Sequence, residues 1–350
     1  MNVKTAGVAL CRTPICAAAD TAAAASPMPK LTKTQVKTSA SLLFNNLAAN
    51  GKHVAFVHGS DVVIVGDAAI AFGDASRSLA KVSDKDSVVH QVRWVEFGAD
   101  EFLCIASQRG LQLYTADGKR VLHSHPPPPG TADEPAFFRG IAGVAAADAN
   151  YICAGTSTGE LHLIPQAGAT FGQPIVLSEG LVGAITDACG GSVPGEGLVA
   201  AADASCKITA YLVSAGGEIG LVCQFENPGS LCTSVRMRRH WLLAAHATGH
   251  VRIYDLRDRA LACVIGAHAR WINALELHPT KDLFATASED AHVSVWKIPD
   301  EQARPLKHVA TLPLPDHVLT GVAFCGGGGR ELVAATAYDV DYISAWALDA

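Results

Sequence analysis

No apolar run of about 18 residues occurs anywhere in the chain, so no helical membrane span is expected. None of its 10 cysteines forms a C-x-x-C pair, and no secretory apolar segment is present. Charge is sparse: 17% of residues are Asp, Glu, Lys or Arg, and the net charge is −6. No basic patch of the kind that tracks a phosphate backbone stands out, which argues against a nucleic-acid partner. Aromatics make up only 6% of the chain, and there are 3 methionines. A P-loop is missing, because neither Gly51-Lys52 nor Gly118-Lys119 has the required upstream glycine. What is present is 49% hydrophobic residues, with 32 glycines. That excludes a disordered chain and suits many short, tightly packed strands. Most cysteines sit inside apolar strand-like runs, as in Leu103-Cys104-Ile105, so reduced thiols in the cytoplasm are expected. Residues 1–30 are Ala-rich, with Lys4, Arg12 and Lys30 against Asp20. This composition fits a flexible tail or a targeting peptide. The folded domain is expected over residues 31–350.

Internal periodicity organises the rest. From Gly266 to Lys297 the chain reads as three short strands: Ile272–Leu277, Leu283–Ala287 and Val293–Lys297. His278-Pro279-Thr280-Lys281-Asp282 and Ser288-Glu289-Asp290 supply the turns between them. Stepping along the chain, apolar or aromatic residues close comparable strands at 65, 114, 164, 211, 254, 296 and 346, spaced 42–50 residues apart. Seven such units predict a seven-bladed, all-β propeller. The chain stops four residues after Trp346, leaving the last blade without a fourth strand. Leu31–Lys37 has the alternation to supply it, closing the ring where an open edge would otherwise stand.

The segment around His268 resembles a blade of the WD-repeat family in nearly every diagnostic place. In that family a His, a Ser or Thr, an Asp and a Trp form a hydrogen-bonded tetrad. The matching residues are His268, Thr286, Asp290 and Trp296, with 28 residues from His to Trp. Ala267 stands where the family has Gly, and Lys297 where it has Asp. A weaker version is expected in the last blade, where Thr336 and Trp346 hold their places and His317 lies near its own. Further pieces resemble one branch of the family, including Phe138-Arg139-Gly140-Ile141-Ala142 and Phe56-Val57-His58-Gly59, over about residues 38–350. The resemblance implies a non-catalytic scaffold or adaptor for other proteins, without cofactor. A structural subunit of a cytoskeletal, ciliary or vesicle-associated assembly is the alternative, and an enzyme or small-molecule binder using the central channel is a third class.

Signals for chemistry are weak beside this. Gly155-Thr156-Ser157-Thr158-Gly159 matches the nucleophile-elbow pattern, but a strand rather than a helix follows it, so Ser157 is read as a turn residue. The 14 histidines include the close pairs His123/His125 and His246/His250, with no third ligand at zinc spacing. No catalytic, cofactor-binding or metal residue is therefore assigned. Contact surfaces are better marked. Pro126, Pro127, Pro128 and Pro129 open a long inter-blade loop and favour an extended conformation that costs little to order on binding, although a mere spacer reads equally well. Arg270 and Trp271 occupy the equivalent loop of the best-kept blade, with Glu289 on the same face, and Arg and Trp are frequent interface anchors. Gly190-Gly191 to Gly197 and Gly326 to Gly329 read as flexible turns on the opposite face. No homo-oligomer is indicated.

Overall fold

The computed structural model describes residues 29–66, 70, 80–83, 87–131, 134–226, 229–299, 306–327 and 330–348. All but the last two residues of the 1–30 segment lie outside the described residues, as do Gly328 and Gly329. Seven antiparallel sheets stand in sequence around a ring, and each begins with its innermost strand. We number them as blades. Blade 1 starts with Ala48–Ala49, blade 2 with Val89–Phe97, blade 3 with Phe138–Ala145 and blade 4 with Ile185–Val193. Blades 5, 6 and 7 start with Cys232–Arg238, Ile272–Leu277 and Leu319–Gly327. The face on which these inner strands begin is called the upper face below.

The seven periodic residues all occupy one structural position. Val65, Tyr114, Ile164, Tyr211, Tyr254, Trp296 and Trp346 lie on third strands, opposite Val54, Leu103, Ile152, Val199, Leu242, Phe284 and Val333 of the second strands. Alternation explains why sequence spacing found them: every second residue faces the same neighbouring blade. The apolar side chains gather into seven clusters, one between each pair of adjacent blades, rather than one central core. In blades 2 to 7 a backbone bond closes the upper end of the inner strand pair. The turn after the second strand donates an N–H to the residue just ahead of the same blade's inner strand, as in Gln108 to Val88 (3.1 Å), Ser157 to Phe137 (2.9 Å) and Tyr338 to Val318 (2.8 Å).

Ring closure uses both ends of the domain. Leu31–Gln35 pairs antiparallel with Tyr342–Ala347, Leu31 opposite Trp346 and Gln35 opposite Tyr342. The strand is two residues shorter than the sequence suggested, because Lys37 turns into the left-handed region at φ 66°. Thr34 and Val36 are buried, and Val36 joins the cluster between blades 7 and 1.

The glycine reading needs correction. Gly190 and Gly191 lie inside the inner strand of blade 4, and Gly197 inside its neighbour. A Cβ on Gly190 would overlap the Gly143 carbonyl of blade 3, and one on Gly191 the Met237 sulfur of blade 5. Inner strands converge toward the axis, and here only a missing side chain lets them fit. Gly326 and Gly327 are likewise strand residues.

Candidate interaction surface

The best-kept blade assembles most of its expected chain. His268 Nδ1 lies 3.0 Å from Asp290 Oδ2, and its Nε2 lies 2.8 Å from Thr286 Oγ1. The Ala269 N–H donates to the same carboxylate at 2.9 Å. Burial pushes the Asp290 carboxyl up, but the bonds from His268 and Ala269 more than reverse this and hold it at about 2. Trp296 does not join the chain: its buried indole N–H has no partner. The Thr286 hydroxyl is already engaged by His268 and donates to the Ser294 carbonyl at 3.3 Å, while Trp296 stands opposite Phe284 and packs edge-on against His308. The expected set is thus a His–Thr–Asp triad beside a packing tryptophan.

In blade 7 the weaker set does not form. His317 Nε2 pairs with the Tyr342 hydroxyl at 2.7 Å instead. Thr336 Oγ1 donates to the Asn46 carbonyl at 2.9 Å. That bond belongs to a feature the sequence reading missed. Residues 40–47 cross the upper mouth of the channel, and the Asn45-Asn46 pair touches five blades. The Asn45 amide donates to Asp187 Oδ2 of blade 4 at 3.2 Å and to the Thr233 carbonyl of blade 5 at 3.4 Å. Its side-chain oxygen accepts from the Leu275 N–H of blade 6 at 3.3 Å. Asn46 N–H donates to the Thr320 carbonyl of blade 7 (3.0 Å), and its Oδ1 accepts from the Val57 N–H of blade 1 (2.7 Å).

Asp187, fully buried, anchors this plug. Its Oδ2 also accepts from Ser234 Oγ (3.1 Å), the Val235 N–H (3.0 Å) and Arg236 Nη1 (2.8 Å). Arg236 reaches on to Glu276 at 3.1 Å, which Arg93 of blade 2 meets from the other side at 3.2 Å. Burial pushes the Glu276 carboxyl up; Arg236 and Arg93 outweigh it and hold it at about 2. Four charged side chains therefore bridge blades 2, 4, 5 and 6 across the axis.

The residues singled out for contact divide between two sectors of the upper face. Arg270 and Trp271 are exposed, Glu289 is half-buried, and the Glu289 N–H donates to the Trp271 carbonyl at 3.0 Å. The Trp271 ring stacks on Phe44 of the plug, centroids 6.4 Å apart. Pro126 and Pro129 are exposed, and Pro127 and Pro128 half-buried, in the blade 2–3 sector. Their loop turns back where Thr131 Oγ1 accepts from the Glu134 N–H at 3.0 Å. It walls a cavity of about 550 Å³ with His90, Gln108, Phe137 and Ser157. Ser157 Oγ accepts from the Phe137 N–H at 3.1 Å and sits in a turn between strands.

Among the described residues no group of three or more His, Cys, Asp or Glu is placed to hold a metal ion. His125 Nε2 lies 2.9 Å from His162 Nδ1 between blades 2 and 3, a pairing 37 residues apart in sequence. Burial and the neighbouring imidazoles hold His125 down at about 4.

Comparison with known proteins places these features in a family. The WDR54 family model matches residues 32–347. The chain is 32% identical over 329 residues to WD repeat domain 54 of Rattus norvegicus, covering 87% of this chain and 95% of that protein. The identity to WD repeat-containing protein 54 of Homo sapiens is 30% over the same lengths. A chain of the crystal structure of the mitotic checkpoint complex superposes with a TM-score of 0.70, covering 93% of this chain and 96% of that one. Its 14% identity makes that a likeness of fold alone.

Proposed function

The chain belongs to the WDR54 family of WD-repeat proteins, and from that premise we propose that it is a non-catalytic scaffold that captures another protein on the upper face around Trp271. One observation carries the reading. Among the described residues ten large apolar side chains are exposed. Leu42, Val88, Val182, Trp271 and Tyr338 lie in loops of the upper face; Leu31, Val121, Val176, Leu221 and Val309 lie on outer strands; among the described residues none lies in a loop of the lower face. Of the two faces, exposed apolar loop residues favour the upper one as an interaction surface. Trp271 and Leu42 flank Phe44 beside Arg270, a composition that favours anchoring.

Cys104, Cys153, Cys189, Cys206, Cys223 and Cys232 are free thiols, which supports placing this scaffold in a reducing compartment such as the cytoplasm. The test is affinity capture of the tagged protein beside Arg270→Ala/Trp271→Ala, with mass spectrometry and a melting curve for each. A stoichiometric partner lost from a variant that melts normally is the expected result. Full capture by the folded variant overturns the assignment of this face, and background alone in both overturns the scaffold.

A further inference from the structure

Below the plug the channel is open on the lower face and blind above. Its lower half holds a chamber of about 470 Å³, joined through shared walls to a smaller one of about 210 Å³. The space arises from unequal side chains at one level of the ring. Blades 2, 5 and 6 place Arg93, Arg236 and Glu276 there, while blades 3 and 7 place Ala142 and Ala323. Interiors are close-packed as a rule, so a void this size near the axis of a tight ring invites an occupant.

The walls define its chemistry. Four guanidinium groups line the joined chambers, and three are matched: Arg93 with Glu276, Arg236 with Asp187 and Glu276, and Arg239 with Asp282. Arg238 is different. Its Nη2 donates to the backbone carbonyls of His278 and Lys281, its buried Nε has no acceptor, and no carboxylate among the described residues pairs with it. The lining acid left over is Glu96, whose carboxyl is pushed up first by burial and then by Glu101, against Lys52. Trp94, Met237, Leu277 and Phe324 line the same chamber, giving it apolar walls beside charged ones.

We propose that this chamber binds a small organic anion, a carboxylate or phosphate monoester with an apolar body, its acid group on Arg238 and its body against Met237 and Leu277. A guanidinium matches either acid group, and a half-buried one without a carboxylate partner gains more from such an anion than the three already paired. The full-length protein is titrated calorimetrically with phenylacetate, phenyl phosphate and the neutral benzyl alcohol. Saturable binding of at least one anion, weakened by salt, with no binding of the alcohol, is expected; the better anion identifies the acid group. Arg238→Gln is expected to weaken it at least tenfold. Ser192→Phe, which fills the rim from an exposed position, is expected to abolish it and keeps the test independent of whether Arg238→Gln folds. Equal binding of the alcohol, no binding of either anion, or anion binding untouched in folded Ser192→Phe overturns the proposal. None of these outcomes depends on the upper face.

Discussion

Replacing Asp187 by alanine tests whether the plug and the cross-channel charges act as one unit. The substitution removes an oxygen that accepts four hydrogen bonds, from Asn45, Ser234, Val235 and Arg236. It leaves the Val235 N–H buried without its acceptor and Arg236, only 3% exposed, with Glu276 as its one remaining carboxylate. Breaking a buried pair on one side costs about 3–5 kcal/mol. Against a total stability of roughly 5–15 kcal/mol, that is a large fraction. Denaturation followed by tryptophan fluorescence should show the loss directly. Because much of the cost is an abandoned charge, Asp187→Leu/Arg236→Met should lose at least about 1 kcal/mol less than the two single changes summed. A midpoint unmoved by Asp187→Ala, or strict additivity in the double variant, refutes the reasoning.

Truncation checks the closure strand: deletion of residues 1–28 should leave the melting temperature unchanged, while deletion of 1–37 should lower it sharply and cause aggregation by baring the Tyr342–Ala347 edge. Asp290→Ala should cost about 1–3 kcal/mol in a melting experiment, since it strips both His268 and the Ala269 N–H of their acceptor. Acid should unfold the protein in two stages. His90, His125 and His246 are each held at about 4, by burial first, with Arg139, His162 and Arg252 as the next causes, so the unfolded chain binds more protons than the folded one between about pH 6.5 and 4. Stability should therefore fall as pH drops through that window. Glu276 and Asp290, both at about 2, contribute stability that is complete above their unfolded values near 4.5 and 3.8 and is lost as pH falls toward 2. A melting temperature flat from pH 6.5 to 4 contradicts the histidine assignment.

Local pattern made the blades legible. Period-two alternation and recurring turn residues locate third strands from Val65 to Trp346, and the short spacing of His268, Thr286 and Asp290 announces their meeting. What spans the ring was not legible. Asn45 and Asp187 are 142 residues apart, and Arg93 and Glu276 183, with no periodicity linking them. His317 shows the opposite failure: it sits near a family position, yet Tyr342 lies closer than Thr336. Gly190-Gly191 has the local signature of a turn, and only the crowding of inner strands around an axis makes it a strand.

Closure by Leu31–Gln35 on Tyr342–Ala347 has a temporal consequence. Leu31 and its partner Trp346 are 315 residues apart, so the first strand among the described residues must wait for almost the last of them. At ordinary rates of synthesis the wait is on the order of 15–60 s. Throughout it the nascent chain carries an unpaired strand, and its growing arc ends in an open edge. A chain interrupted before residue 342 never acquires the partner for that strand, whatever blades it has already built. The seam thus separates finished chains from unfinished ones, and it exposes unfinished ones to whatever recognises bare strand edges.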